Sequence, residues 1–352
     1  MVGWLDRRFL DLIGCEHPIV QAPMAGASGV ELCVAALRGG ALGSLPCGML
    51  SPEQVRQQAA ETRNRAAGPL NLNFFCHKLP EPVEDSGWRA LLQPYYEALG
   101  ISDPPRVPLR LPFDEAACAA VEEIRPEVVS FHFGLPDAPL FDRVKAAAAK
   151  ILGCATSVDE ARWLESRGVD AIIVQGFEAG GHTGRFLGSD PAEALGLFAL
   201  VPQVADVVSV PVIAAGGIFD GRGIAAALTL GASAVQIGSA YLHCPESLLS
   251  DAQRAMLTKR PTLFTNVYSG GLARAVRGRL VDEIGAIRSD APPYPLAGAV
   301  TMPLVRAAAA QGDFELLPNL AGQSAVRGRP VPAAELTRKL AADALAILGG
   351  EA

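Results

Sequence analysis

A histidine bracketed by glycines is the residue of this chain with the clearest potential for chemistry. His182 ends the segment Glu178-Ala-Gly-Gly-His182, which follows a strand-like run at residues 170–175. Imidazole is the side chain whose ordinary pKa lies nearest neutral pH, so it can take or give a proton under physiological conditions. Glycines on both sides of it exclude a regular helix. We therefore interpret His182 as a catalytic residue in a loop, not as a structural histidine.

Other residues offer weaker chemistry. His132 lies in Ser130-Phe-His-Phe-Gly134 at the end of another strand-like run, and its phenylalanine neighbours fit a core or supporting role as well as substrate contact. We expect no metal site, because the chain has no His-x-x-x-His, no paired cysteines and only one acid close to His182. Ser28 and Ser239 lack the Gly-x-Ser-x-Gly setting of a hydrolase nucleophile.

Eight short apolar or β-branched runs must position these residues. Most are followed by a turn and an alanine-rich amphipathic segment, an alternation typical of parallel strands with crossover helices. Eight such units close most simply into a (β/α)8 TIM barrel. The alternative, a doubly wound open sheet, would carry Gly-x-Gly-x-x-Gly after its first strand, and Gln21-Ala-Pro-Met-Ala-Gly26 does not match. The predicted strands are residues 18–22, 41–45, 70–75, 127–131, 150–155, 170–175, 210–215 and 234–237.

Two stretches interrupt this alternation. Residues 78–112 hold seven prolines and predict a long surface excursion beside the barrel mouth. Residues 244–329 carry few strand signals, and residues 330–348 predict a closing helix. We therefore expect an α/β protein of two domains, a barrel of residues 1–243 and 330–352 and a smaller, mainly helical domain or lid of residues 244–329 on the substrate side.

Two glycine turns predict a phosphate site. Ala214-Ala-Gly-Gly-Ile218 ends the seventh predicted strand, and Gln236-Ile-Gly-Ser239 ends the eighth. In (β/α)8 barrels this pair of turns commonly holds a phosphate, because backbone N–H groups there face a shared concavity near a helix N-terminus. Glycines also occur in such turns for steric reasons alone. Their presence in this particular pair of strands favours phosphate binding.

The ends of other predicted strands supply amide and thioether groups. Pro23 and Met24 follow the first strand, Asn73 the third and Gln175 the sixth, so in a barrel they lie at the same end as the glycine turns. A planar cofactor with ring carbonyl and nitrogen atoms needs this mixture of hydrogen bonding and soft apolar contact. Taken singly, Met24 is more often a core residue and Asn73 a turn residue. Their convergence is what predicts a cofactor site.

Composition limits the partners and the compartment. The chain has 352 residues, 50% of them hydrophobic, enough for a large core. Its net charge of −7 and scattered Lys and Arg argue against nucleic acid. Seven cysteines without a Cys-x-x-Cys indicate buried, reduced thiols. Since no uncharged apolar stretch approaches about 18 residues, we expect no membrane span and a cytoplasmic protein.

The chain resembles the nitronate monooxygenases, formerly called 2-nitropropane dioxygenases, and in particular their bacterial class I branch. The resemblance covers about residues 18–247. It implies an FMN-binding barrel in which a nitronate reduces the flavin and O2 reoxidises it, giving a carbonyl compound and nitrite without NAD(P)H. The motifs that carry it are Gln21-Ala-Pro-Met24, Asn71-Leu-Asn-Phe-Phe75, Ser130-Phe-His-Phe-Gly134, Gln175-Gly-Phe-Glu-Ala-Gly-Gly-His182, Ala214-Ala-Gly-Gly-Ile218 and Gln236-Ile-Gly-Ser239.

This resemblance, added to the residues derived above, defines an expected site. His182 lies at the substrate, and His132 and Tyr294 are further candidates for substrate contact. The predicted FMN-binding residues are Ala22, Pro23, Met24, Asn73, Gln175, Gly180, Gly181, Gly216, Gly217, Gln236, Ile237, Gly238 and Ser239.

One part of the expected substrate pocket departs from the family. Relatives supply two tyrosines four residues apart and then a lysine from the C-terminal segment. Here only the first is kept, as Tyr294, and Gly298 and Met302 stand at the other two positions. The departure removes a phenol and a cation that would hold a small anionic nitronate such as propionate 3-nitronate.

Three functions remain in competition. The leading hypothesis is FMN-dependent oxidation of nitronates, with His182 binding the anion as an imidazolium or taking the α-proton of a nitroalkane. The alternative is an FMN-dependent NAD(P)H reductase of a quinone or enoyl thioester, since such enzymes share a similar Glu-Ala-Gly-Gly-His loop. A third is a flavin-binding protein whose pocket has decayed, supported only by Gly298 and Met302. The expected partners are a nitronate or nitroalkane and O2, and the assembly is left open, with a homodimer as one option.

Overall fold

Eight parallel strands form the barrel expected from the sequence. The computed structural model describes residues 3–104, 107–147, 149–188 and 190–350. The ends of the predicted barrel, residues 1–2 and 351–352, and residues 105–106 of the predicted excursion lie outside the described residues. Within the described ranges the strands β1 to β11, in chain order, are Ile19–Gln21, Gly43–Pro46, Leu70–Phe75, Val128–His132, Lys150–Ala155, Ala171–Gln175, Gly181–His182, Val212–Ala215, Ala234–Ile237, Thr262–Thr265 and Ala273–Val276.

The barrel sheet runs in the order β1-β9-β8-β6-β5-β4-β3-β2, with every neighbouring pair parallel. A parallel bridge between Val20 and Leu42 joins its two outer strands and brings the barrel close to closure. The helices α1 to α13, again in chain order, are Arg8–Ile13, Val30–Arg38, Pro52–Arg65, Ser86–Ala98, Glu115–Ile124, Ala138–Ala146, Val158–Ser166, Leu197–Ala205, Gly221–Thr229, Asp251–Lys259, Arg279–Ile284, Leu296–Ala310 and Ala333–Leu348.

Local sequence explains where several of these helices begin. Ser51 and Gln54 form a capping box before α3, and the side chains of Asp114, Ser157 and Asp220 each accept a backbone N–H from the first turn of the helix that follows. A capping residue is itself not helical, so the observed helices start one residue after these polar side chains.

Alternate residues of the strands belong to different cores. Ile172 and Val174 of β6 pack toward the surrounding helices, whereas Ile173 belongs to a second cluster that includes Phe9 and Leu10 of α1. This two-residue period is what a parallel strand covered on both faces requires. The apolar side chains of α1 thus pack on residues that point into the barrel.

The segment after the eighth barrel strand differs from the sequence expectation. Residues 244–329 contain the two short strands β10 and β11, which the sequence did not predict, in addition to α10, α11 and α12. Their hydrophobic core includes Trp88 and Leu92 of α4, from the proline-rich excursion, packed with Leu304 of α12. The strands Thr-Leu-Phe-Thr and Ala-Arg-Ala-Val are too short and too mixed in polarity to be predicted from the sequence. The structure does not show a separate second domain.

The state of the cysteines and the character of the helices relate to the environment of the protein. All seven cysteines are free thiols, and five of them are buried. Among the helices of the described residues, none has the length and apolar character needed to cross a membrane.

Candidate active site

The loop that carries His182 is held between the barrel and the insertion. His182 lies in the two-residue strand β7, which pairs with Ala273 and Arg274 of β11, and β11 in turn pairs with β10. The side chain of Gln175, at the end of β6, binds both sides of the loop. Its Nε2 donates to the His182 carbonyl at 3.0 Å, and its Oε1 accepts the N–H of Gly184 at 2.6 Å.

His132 also forms a hydrogen bond with the loop that carries His182. Its Nε2 lies 3.2 Å from the His182 carbonyl oxygen, which makes Nε2 the donor and fixes that tautomer. Burial lowers the pKa of His132 to about 4, so the ring is neutral near pH 7. The structure therefore gives His132 a positioning contact with the loop, and its predicted contact with substrate stays a prediction.

The ring of His182 has one nitrogen engaged and one available. Nε2 lies 2.7 Å from Ser269 Oγ, and the ring centroid lies 5.2 Å from that of Tyr294. Nδ1 has no hydrogen-bond partner among residues 3–104, 107–147, 149–188 and 190–350, and it is not among their fully buried polar atoms. Nδ1 is therefore the atom that can meet a substrate.

The charge state of His182 differs from one sequence hypothesis. Burial, with smaller contributions from the Arg110 cation and the neighbouring His132 and His77, lowers the pKa of His182 to about 3. The ring is therefore neutral near pH 7. Binding an anion as a preformed imidazolium is not supported, because a buried imidazolium next to a guanidinium has no compensating negative charge among the contacts described.

Two cavities meet at this histidine. The inner cavity, about 220 Å³, lies at the carboxyl ends of β1, β3, β6, β8 and β9. The outer cavity, about 820 Å³, lies between residues 107–114, the first turns of α3, and α12. His182, Arg110 and Phe75 line both, so they stand at the junction.

The inner cavity gathers the predicted cofactor residues. Every one of them lines it except Ile237, whose side chain is buried in the main core. His132 also lines it, whereas Tyr294 lines the outer cavity. Sequence reasoning thus identified residues that the fold brings together, and their binding role stays a prediction. The residues that line the inner cavity as expected are Ala22, Pro23, Met24, Asn73, Gln175, Gly180, Gly181, Gly216, Gly217, Gln236, Gly238 and Ser239.

One end of the inner cavity presents unused backbone donors. No hydrogen bond within the described part of the chain uses the N–H groups of Gly217, Gly238 or Ser239. The Ser239 hydroxyl accepts the N–H of Gly322 at 2.8 Å, which leaves its own proton to donate. The N-terminus of α9, by contrast, is capped by the side chain of Asp220. An anion here would therefore be held by turn N–H groups and not by the helix terminus.

The inner cavity also has an unsatisfied acceptor. Gln236 Oε1 is buried and has no hydrogen-bond partner in the described structure. Asn73 Nδ2 donates to Ser130 Oγ at 2.9 Å, and no hydrogen bond of the described residues uses Asn73 Oδ1. A buried acceptor such as Gln236 Oε1 normally has a partner, so an N–H group of a ligand would satisfy it. The inner cavity thus offers both unused donors and unused acceptors to a bound ligand.

Arg110 is the functional candidate that sequence reasoning missed. Its Nη1 donates to the Tyr294 hydroxyl at 3.2 Å, and its guanidinium lies 5.2 Å from the centroid of Phe75. It forms no ion pair with any acid in the described part of the chain. No periodicity or motif in the excursion marks it. A cation without a counter-ion at the junction of two cavities is suited to an anionic ligand.

A comparison with models of protein families identifies the family of this chain. The model of the family described as nitronate monooxygenase matches residues 7–343. The chain belongs to this family. A nitronate monooxygenase from Paraburkholderia phytofirmans is 40% identical to it over 343 residues, covering 95% of this chain and 94% of the relative. The family resemblance expected from the sequence is thus confirmed.

Solved structures share the architecture. The nitroalkane oxidase from Streptomyces ansochromogenes matches with a TM-score of 0.89 and 34% identity, covering 98% of this chain and 100% of that one. FabK from Thermotoga maritima matches with a TM-score of 0.78 and 27% identity, covering 100% of this chain and 99% of that one. As a member of the nitronate monooxygenase family, the protein is a flavin-dependent oxidoreductase.

The outer cavity is where this member departs from the pattern expected of the nitronate monooxygenases. Gly298 and Met302, on successive turns of α12, line it together with Tyr294. The expected lysine is thus absent from this wall, and Arg110 places a guanidinium on the facing side, in contact with Tyr294. The pocket therefore has a cation, supplied by a different element of the chain.

Proposed function

We propose that this protein binds FMN in the inner cavity and uses O2 to oxidise nitronates to a carbonyl compound and nitrite. The observation that carries the proposal is the junction of the two cavities, which is lined by His182, with its available Nδ1, and by Arg110, which has no ion pair within the described residues. FMN, when bound, supplies the acceptor for the substrate's electrons and their route to O2. Free cysteines support a cytoplasmic location.

The residues assigned to FMN follow from their unused hydrogen-bonding groups. The N–H groups of Gly217, Gly238 and Ser239 would hold the phosphate, and Gln236 and Asn73 would bind the ring. A single cradle of donors supports FMN in preference to FAD, which carries a second phosphate and an adenine.

Arg110 and His182 have different roles toward the substrate. Arg110 provides the positive charge that holds the nitronate head, and Tyr294 is oriented by the same guanidinium. When the Ser269 hydroxyl donates to Nε2 of His182, Nδ1 carries a proton and donates to a nitronate oxygen. In the other tautomer Nδ1 can take the α-proton of a neutral nitroalkane. A base with a pKa of about 3 has little driving force for that transfer, so nitronates are the preferred substrates.

Replacing Arg110 by glutamine should raise KM for nitronates by roughly 10- to 100-fold, because a hydrogen bond to a charged group contributes about 1.5–3 kcal/mol. KM for neutral nitroalkanes should change much less, because they lack the charge. Steady-state kinetics on both forms of one compound measures this, and the conservative Arg110→Lys variant should recover part of the loss. Equal increases for the charged and neutral forms would contradict the role given to Arg110.

The source of electrons tests the proposed function directly. Anaerobic mixing of the holoenzyme with a nitronate should bleach the flavin absorbance at a rate compatible with turnover, whereas NADH and NADPH should bleach it slowly or not at all. Rapid bleaching by NADH or NADPH and none by any nitronate would overturn the proposal in favour of a reductase. Bleaching by neither class would support a flavin-binding protein without this activity.

A further inference from the structure

The outer cavity is far larger than a small nitronate needs. Its volume is about 820 Å³. It also lies within the range of about 300–1,000 Å³ that is typical of pockets for drug-sized ligands. A two- or three-carbon nitronate would leave most of this space unfilled.

The walls of the outer cavity are predominantly apolar beyond the junction. Residues 107–112 of the excursion, with Phe113 after them, contribute valine, leucine, proline and phenylalanine side chains on one side. On the other side α12 contributes Ala299, Met302 and Val305. The polar groups that could orient a head group, His182, Arg110 and Tyr294, lie together at the inner end. Apolar side chains therefore predominate in the cavity, although its lining also includes polar side chains such as Arg306, Gln253 and Asn319.

Gly298 lines the outer cavity next to Ser269. A Cβ added at Gly298 would meet only ordinary contacts, 3.7 Å from Ser269 Cα and 3.9 Å from Met302 Cγ. Ser269 is the residue whose hydroxyl contacts His182. The space at Gly298 is thus directly beside the reactive end of the pocket, and a large side chain there would narrow it.

We propose that the outer cavity binds the hydrocarbon chain of the substrate, so that the preferred nitronates carry an alkyl chain longer than two or three carbons. The inference rests on the proposed function, since it assigns the nitronate head to Arg110 and His182. Each methylene that leaves water contributes about 0.8 kcal/mol, or roughly a fourfold gain in affinity. Chain length, more than the head group, then determines which nitronates are selected.

The wild-type protein provides the first test. For primary nitronates from two to ten carbons, kcat/KM should rise by roughly two- to fourfold per added carbon until the cavity is full. Carboxylates from propionate to decanoate serve as unreactive anions of similar head group. Their Kd by isothermal titration calorimetry should fall with length, with an increasingly negative heat-capacity change as apolar surface is buried. A flat or falling profile in both series would overturn the inference.

Narrowing the cavity provides the second test. The variants Gly298→Tyr and Met302→Lys should reduce the ratio of kcat/KM for the eight-carbon over the two-carbon nitronate by at least about tenfold. Ala310→Tyr is the matched control, because Ala310 is exposed at the end of the same helix and does not line the cavity. Its ratio should equal that of the wild type. An unchanged ratio in the two cavity variants, with flavin content and Tm preserved, would show that the chain binds elsewhere.

The two proposals fail in different ways. If no nitronate bleaches the flavin but decanoate still binds much more tightly than propionate, the proposed function is wrong. The outer cavity then binds the hydrocarbon chain of a different anion. If nitronates of all lengths react equally well and the carboxylates bind with equal Kd, the function stands and the inference about chain length is wrong.

Discussion

Replacing His182 by asparagine is expected to lower kcat/KM for a neutral nitroalkane by roughly 10²–10⁴, the usual effect of losing a positioned acid-base group. Nδ1 is the ring atom left available by the contact between Nε2 and Ser269, and asparagine cannot accept a proton there at neutral pH. The flavin should stay bound, since the unused donors assigned to its phosphate lie on the turns after β8 and β9. Steady-state kinetics with the flavin content of each preparation measures both.

The nitronate of the same compound is the internal control. It has already lost its α-proton, so asparagine, which can still donate a hydrogen bond, should lower kcat/KM for it by about tenfold or less. Ser269→Ala is the matched variant. It keeps the imidazole ring of His182 and removes only the hydroxyl that bonds to Nε2 of that ring. Loss of flavin and stability together in His182→Asn would instead indicate a structural histidine, and unchanged nitroalkane turnover would show that the proton goes elsewhere.

Replacing Gly238 by valine is expected to abolish FMN binding or weaken it by at least about 100-fold. A Cβ at this position would lie 3.5 Å from Ala22 Cβ and 3.6 Å from Met24 Sδ, both of which line the inner cavity. The backbone of Gly238 is outside the left-handed region, so the substitution adds bulk without backbone strain. Valine at Gly217, where φ is 69°, would add strain as well and is a less specific test.

Flavin fluorescence titration of the apoprotein measures this effect. The matched control is Gly87→Val near the start of α4, where an added Cβ has no neighbouring atom within 4 Å and which lines neither cavity. That variant should bind FMN like the wild type. If Gly238→Val binds FMN normally while remaining folded, the flavin does not occupy the inner cavity.

Much of the barrel was predictable because its signals are local. The runs at residues 70–75, 150–155 and 234–237 are β3, β5 and β9 without any shift of boundary, since each is a short run rich in apolar residues that is bounded by a turn. The glycine turns and the amide side chains at strand ends came together because parallel strands of a barrel end at one face. Residues tied to strand ends could therefore be assigned to the inner cavity in advance.

What could not be predicted depends on contacts between distant segments. Arg110 reaches the junction because α4 of the same excursion packs on α12, about 200 residues later in the chain, and no local pattern reports that contact. The neutral state of His182 depends on burial by the excursion and the insertion together. The strand β11 is defined mainly by its partners, β10 and β7.

The small sheet β10-β11-β7 limits how this enzyme can be modified. Its central strand comes from the insertion that walls the outer cavity, and its last strand contains His182 itself. Substrate specificity and reactivity therefore depend on the same small sheet and cannot be changed independently. Grafting residues 262–276 from a relative to change substrate range would also move the backbone that sets the position of Nδ1, so such a chimera must be selected for turnover and specificity at the same time.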